Sequence, residues 1–175
     1  GKRNSAASCG NDGNRDTVTD TSRHDMETRI HATLKTFDEL SPRELYAILR
    51  LRSEVFVVEQ QCIFLDTDDN DQPCWHLTLH AHGRLQACAR LMPPGLAYPE
   101  ASIGRVVSSP ATRRQGYGRK LMEKSIAECR RLFGPGDIVI GAQLYLKDFY
   151  GSFGFVPEED VYLEDGITHV KMRLA

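Results

Sequence analysis

The stretch Arg113-Arg114-Gln115-Gly116-Tyr117-Gly118-Arg119-Lys120 combines residue types suited to holding a diphosphate. Its glycines allow close approach of backbone to an anion. It opens a helix-patterned segment ending near Phe133, and the free N–H groups of a first helical turn favour negative charge. Arg113, Arg114, Arg119 and Lys120 add local positive charge to a chain whose formal net charge is -2. The β-branched run Ile103-Gly104-Arg105-Val106-Val107 comes before the loop, and Pro110 interrupts it. The order is therefore strand, glycine-bearing loop, helix. The spacing is not GxxxxGK[ST], because no Lys-Ser or Lys-Thr follows a glycine at the required distance, and it is not GxGxxG, because no third glycine follows Gly118 at that spacing. The bland alternative is a helix start with tight glycine packing and a solvated basic face.

Composition bounds the answer. A chain of 175 residues fits one domain, and 41% hydrophobic residues suffice for a core. No apolar run approaches the ~20 residues of a membrane span, and no basic-plus-apolar leader opens the chain. A net charge of -2 argues against a general nucleic-acid binder. Five cysteines form no C-x-x-C pair, so free thiols and a cytoplasmic setting are expected, with no membrane partner.

Periodicity places the elements. Residues 1–25 are rich in Ser, Asn, Asp, Gly and Thr and read as a flexible extension or expression remnant, with Met26 as a native start. The folded domain is expected over residues 26–175. Residues 29–36 alternate as a half-buried strand. Ser41-Pro42-Arg43-Glu44 is a capping box with proline at the first helical position, followed by a stripe of Leu45, Ile48, Leu49 and Phe56. Residues 75–81 and 85–91 alternate about a turn at His82-Gly83, predicting a hairpin. Strands at 102–108 and 138–142, a helix to Phe133, a short helix around 146–153 and strands near 161–163 and 168–174 complete an α/β domain.

A second motif, Phe149-Tyr150-Gly151-Ser152-Phe153-Gly154-Phe155, follows the apolar run Ile138-Val139-Ile140-Gly141-Ala142. Together, Arg113-x-x-Gly116-x-Gly118 and this motif resemble, in order and separation, the signature of the GNAT superfamily of acyl-CoA N-acyltransferases. The resemblance runs from about Leu34 to the C-terminus. Val55-Phe56-Val57-Val58-Glu59-Gln60, Gly141-Ala142-Gln143 and Glu164-Asp165-Gly166-Ile167 look like its ElaA-type subgroup. The resemblance implies a mixed sheet of about seven strands, splayed in its middle by a bulge, with about four helices. It implies an N-acetyltransferase that moves an acetyl group from acetyl-CoA to an amine of a small molecule or peptide by direct attack, as a monomer or homodimer, without a metal. The alternatives are a non-catalytic acyl-CoA-binding regulator on the same fold, and a nucleotide-phosphate binder unrelated to CoA.

The resemblance also assigns residues. Arg113, Arg114, Gln115, Gly116, Tyr117, Gly118 and Arg119 would hold the pyrophosphate, and Val106, Val107 and Ser108 would bond the pantetheine arm through their backbone. Gln143 stands where many members carry Asn, and Leu146 where many carry Ala. Tyr150 would serve as general acid beside the sulfur, since a phenol with a pKa near ~10 suits a thiolate leaving group. Gly104 and Arg105 occupy the neighbourhood where many members carry a glutamate base, and Arg105 is a poor base. Glu54, Glu59, His76 and His169 are the remaining candidates. His76, His80 and His82 share one strand face by period two, but a zinc site would need a fourth ligand. The run Asp66-Thr67-Asp68-Asp69-Asn70-Asp71 starts like an EF-hand and fails where that loop needs glycine and glutamate. It is expected to be a solvated acidic loop, with a role in drawing a cationic acceptor as the functional alternative.

Overall fold

The computed structural model describes residues 29–158 and 161–175. The expected extension over residues 1–25 lies outside the described residues. Strand β1 (His31–Thr36) leads through a short 3-10 turn to helix α1 (Pro42–Arg52). The Ser41 capping box forms as expected: Glu44 N–H donates to Ser41 Oγ, and the Ser41 N–H donates to the Glu44 carboxylate. Beyond Arg52 the helix widens into a π-helical segment, Ser53–Glu59. Such widening is uncommon and recurs at functional sites.

Strands β2 (Trp75–Ala81) and β3 (Arg84–Met92) form the expected hairpin. Its two-residue turn has positive φ at His82 (52°) and Gly83 (66°), which matches the right-handed twist of the strands. Strand β4 (Ala101–Ser108) leads into the glycine loop and helix α2 (Tyr117–Phe133). Strand β5 (Ile138–Gln143), helix α3 (Lys147–Gly151), β6 (Val156–Pro157), β7 (Tyr162–Glu164) and β8 (Ile167–Leu174) follow.

Among the described residues the sheet has eight strands, ordered β1-β2-β3-β4-β5-β8-β6, with β7 also paired to β8. That is one more than the sequence suggested, and the described α-helices number three rather than about four. The unforeseen strand is β6, a two-residue edge piece containing Pro157. Two residues show no alternation, and proline is tolerated at a sheet edge because it has no N–H to give.

Alternation divides the sheet's two faces. Leu77, Leu79, Ala87, Ala89, Leu91 and Ile103 face α2, whose Leu121, Met122 and Cys129 are buried against them. Cys88 and Val107 face Ile48, Leu51 and Val55 of α1 and its extension. The central strands are therefore covered on both faces, and the buried apolar surface fixes their register.

Two irregularities open the middle of the sheet. Strands β4 and β5 run parallel but pair only at Ala101–Ile138 and Ser102–Val139. Beyond Ser102 they part. On its other side β4 bulges: Cys88 pairs with Val107 and Arg90 with Gly104, so Arg105 and Val106 together oppose Ala89. Arg105 takes the left-handed conformation, φ 50°.

Candidate active site

A cleft of about 710 Å³ occupies the space where β4 and β5 part. One end is the glycine loop. Gly116 caps α2 with φ 82°, a left-handed position that suits glycine. The first helical bond runs from the Lys120 N–H to the Gly116 carbonyl at 3.1 Å, so the amides of Tyr117, Gly118 and Arg119 precede the helix's own ladder. A Cβ on Gly118 would come no nearer than 3.7 Å to Phe149, so no protein group requires glycine there.

Of the residues assigned to the phosphate end, Arg113, Arg114, Gly116, Tyr117, Gly118 and Arg119 line the cleft, and Gln115 does not. The arginines are not equivalent. Arg113 is paired with Glu59 at 2.7 Å across the cleft. Arg119 donates to Ser152 Oγ at 3.0 Å and lies over the Phe153 ring at 4.9 Å. Val106, Val107 and Ser108 form the β4 wall, where β5 offers no ladder partner.

Tyr150 sits on α3 and lines the cleft, 7% exposed. Its ring packs edge-on against Phe149 at 5.1 Å and Phe155 at 6.2 Å. Burial raises its phenol above the ordinary range, and the nearby Tyr145 adds to the effect. The group therefore stays protonated across the physiological range, as a weaker acid than a free phenol. Gln143 reaches the cleft from the end of β5, where its side-chain amide pairs with that of Gln60.

Two of the four candidate bases leave the site. His76 is buried on β2, with Nε2 3.0 Å from the Asp71 carbonyl, and does not line the cleft. Burial lowers its pKa. Glu54 is exposed on the helix extension, away from the cleft wall. Glu59 and His169 do line it. Among the described residues no group of three or more His, Cys, Asp or Glu is placed to hold a metal ion.

The expectation of a solvated acidic loop fails. Asp66 and Asp71 are each 6% exposed. Arg52, 1% exposed, donates to Asp66 through Nε at 2.8 Å and to Asp71 through Nη1 at 2.7 Å. Arg90 donates to Asp68 at 2.6 Å and to Asp71 at 3.0 Å. Arg105 donates to Asp68 at 3.1 Å, and its Nε lies 2.8 Å from Asp66 Oδ1 at an angle too poor for a hydrogen bond. Three buried or half-buried aspartates thus face three arginines. Burial alone would raise the Asp68 and Asp71 pKa values, but the arginines prevail and hold both below the usual carboxylate range. These pairings leave the loop little field with which to attract a cationic acceptor. Its work is internal: the Asp66 and Asp68 carboxylates hold Arg105 in its left-handed bulge conformation, which otherwise costs energy.

Besides His169, the cleft is lined by Val55, Phe56, Gln60, Cys62, Phe64, Gly141, Tyr145, Glu164, Asp165 and Ile167, none of which was singled out as a site residue. The Cys62 thiol donates to the Asp165 carbonyl at 3.2 Å, joining two of these segments. A signal was present: the three strings that mark the subgroup resemblance all come together here.

The acetyltransferase (GNAT) domain family matches residues 95–175. A UPF0039 protein of Schizosaccharomyces pombe is 45% identical, over 84% of this chain and 98% of its own length. An acyl-CoA N-acyltransferase from Pseudomonas aeruginosa is 42% identical, with a TM-score of 0.80 over 84% of this chain and all of that one. The crystal structure of Escherichia coli ElaA is 37% identical, with a TM-score of 0.78 over 83% of this chain and 99% of that one.

Proposed function

The chain belongs to the GNAT acetyltransferase superfamily, in the subgroup that includes ElaA, and from that premise we propose that it transfers an acetyl group from acetyl-CoA to a primary amine. The observation that carries the proposal is the cleft itself. The helix-capping loop, the side of β4 that β5 leaves unpaired and Tyr150 all line that one opening. The amides of Tyr117, Gly118 and Arg119, with Arg114, take the pyrophosphate. The backbone of Val106, Val107 and Ser108 supplies the ladder groups that pantetheine amides complete.

The amine nitrogen attacks the thioester carbonyl carbon. The N–C bond forms, the C–S bond breaks, and the electron pair leaves on sulfur. Tyr150 gives its proton to that sulfur and is reprotonated by the proton the amine has shed. The products are an amide and the free thiol, and atoms and charge balance. Positioning of the two reactants accounts for much of the rate.

The test is thiol release with acetyl-CoA and a panel of primary amines, followed by mass analysis of the product. Thiol formed in step with an acetylated amine is the expected result. Tight acetyl-CoA binding without thiol release from any amine would favour the regulatory-protein reading instead.

A further inference from the structure

We infer that His169 is the general base of this site, the group that takes the proton of the attacking amine; the inference rests on the acyltransfer reading above.

Three observations carry it. The first is register. On β8, His169 pairs with Gln143 of β5 on one side and Tyr162 of β7 on the other. Residues paired across antiparallel strands point to the same face. Gln143 lines the cleft, so His169 lies on the cleft face too, and both are among its lining residues.

The second is the ring's protonation state. Nδ1 lies 2.8 Å from the Ile167 carbonyl oxygen. A carbonyl only accepts, so Nδ1 carries the hydrogen and, in the neutral ring, Nε2 carries the lone pair. No described protein group bonds Nε2. The Tyr162 ring stacks on the imidazole at 5.8 Å and 28°, which holds its plane. This is the arrangement of an oriented base: one nitrogen tied to the backbone, the other left open.

The third is elimination among the cleft's charged groups. Glu59 is engaged by Arg113. Arg105 is a cation engaged by Asp66 and Asp68. Glu164 and Asp165 are exposed in and beside the β7–β8 turn. An imidazole changes charge in the neutral range, which suits proton transfer at neutral pH better than a carboxylate does. The titratable groups on the strands beside His169 are Tyr162 and Glu164 on β7 and Lys171 on β8, with Asp165 in the turn; Glu59, Cys62, Arg105, Arg113, Arg114, Arg119, Tyr145 and Tyr150 line the same cleft, and its β5 neighbour, Gln143, is neutral.

In the reaction, the amine's proton passes to Nε2, directly or through one water, as the N–C bond forms. The imidazolium then returns that proton, through water, to the phenolate left when Tyr150 has protonated the sulfur.

The experiment measures kcat/KM against pH for the wild type and for His169→Gln, using a primary amine whose own pKa lies below the range scanned so that the acceptor stays neutral throughout, with the acetyl-CoA Kd and the urea midpoint measured on both. The wild type should lose activity on the acid side through a single protonation. His169→Gln should lose roughly 10²-fold at neutral pH, lose that acid limb, and keep its acetyl-CoA Kd within about twofold. In His169→Ala, added imidazole should restore part of the rate. A His169→Gln enzyme that keeps the acid limb and most of its rate overturns the assignment of His169 alone. A wild type that releases no thiol with any amine overturns the acyltransfer reading, and the role of His169 with it.

Discussion

The side-chain amides of Gln60 and Gln143 hydrogen-bond to each other in both directions, at 3.2 Å and 3.1 Å, and so tie the end of the π-helical segment to the end of β5. Each amide keeps one N–H and one carbonyl lone pair free for a ligand. The pair should be visible in a double-mutant cycle. Gln60→Ala and Gln143→Ala should each lower stability by about 0.5–1.5 kcal/mol, and the double variant should cost clearly less than their sum. Urea unfolding of the four proteins measures this. Strict additivity would mean that the two amides do not interact in solution.

Gly118→Glu should weaken acetyl-CoA binding at least tenfold, about 1.4 kcal/mol, by placing a carboxylate beside the amides that take the pyrophosphate. Beyond its own helix, the nearest atom to an added Cβ belongs to Phe149, 3.7 Å away, so the variant should fold. Calorimetric titration of the folded variant is the measurement. Unchanged affinity would remove the loop from the binding site.

Tyr150→Phe should lower kcat by roughly 10²-fold or more, with little change in the KM for acetyl-CoA, the mark of an interaction made chiefly in the transition state. The ring contacts with Phe149 and Phe155 survive the change, so the unfolding midpoint should hardly move. Because burial raises this phenol above its ordinary range, Tyr150 should add no alkaline limb to the pH profile below about 10. A variant with full kcat would leave Tyr150 only a packing role.

Arg52→Met should be the most damaging single change outside the cleft. It leaves Asp66 and Asp71 buried with half their partners gone, and removing one side of such a network costs about 3–5 kcal/mol. The same network predicts acid sensitivity. The arginines hold Asp68 and Asp71 below the unfolded carboxylate value, and Lys35, with Ser41, holds Glu44 at about 2. Depressed carboxylates contribute stability that is full above the unfolded value of ~4 and is lost as pH falls through the lower folded values. Stability should therefore decline progressively below pH ~4. Denaturation midpoints across that range check the sign, and a midpoint that rises on acidification would contradict it.

Asp68→Asn/Asp69→Asn should lower the melting temperature without altering preference between cationic and neutral amines. The Asp68 charge is already matched by Arg90 and Arg105. A salt-screened loss of cationic preference in the double variant would restore the loop to substrate choice.

The parts of this protein legible in its sequence are those whose causes are local. The Ser41 capping box, the His82-Gly83 turn, the alternation of β2 and β3 and the glycine cap of α2 each depend on residues within a few positions of one another. Hydrophobic periodicity gave nearly the whole order of elements, because burying one face is what fixes a strand or helix. The two-residue β6 escaped it because there is no period in two residues.

What only the tertiary structure decided was the fate of charge and of protons. Asp66 finds Arg52 at a separation of 14 positions, Asp68 finds Arg90 at 22 and Arg105 at 37, and Gln60 finds Gln143 at 83. A run of aspartates has the same composition whether it is solvated or neutralised in the interior. Its electrostatic meaning changes entirely with the partners the fold brings to it, because burial removes the water that would otherwise screen each charge. The sequence likewise held His76 and His169 as equals. The fold buried one against the Asp71 carbonyl and set the other, ring tautomer fixed by the Ile167 carbonyl, on the wall of the cleft.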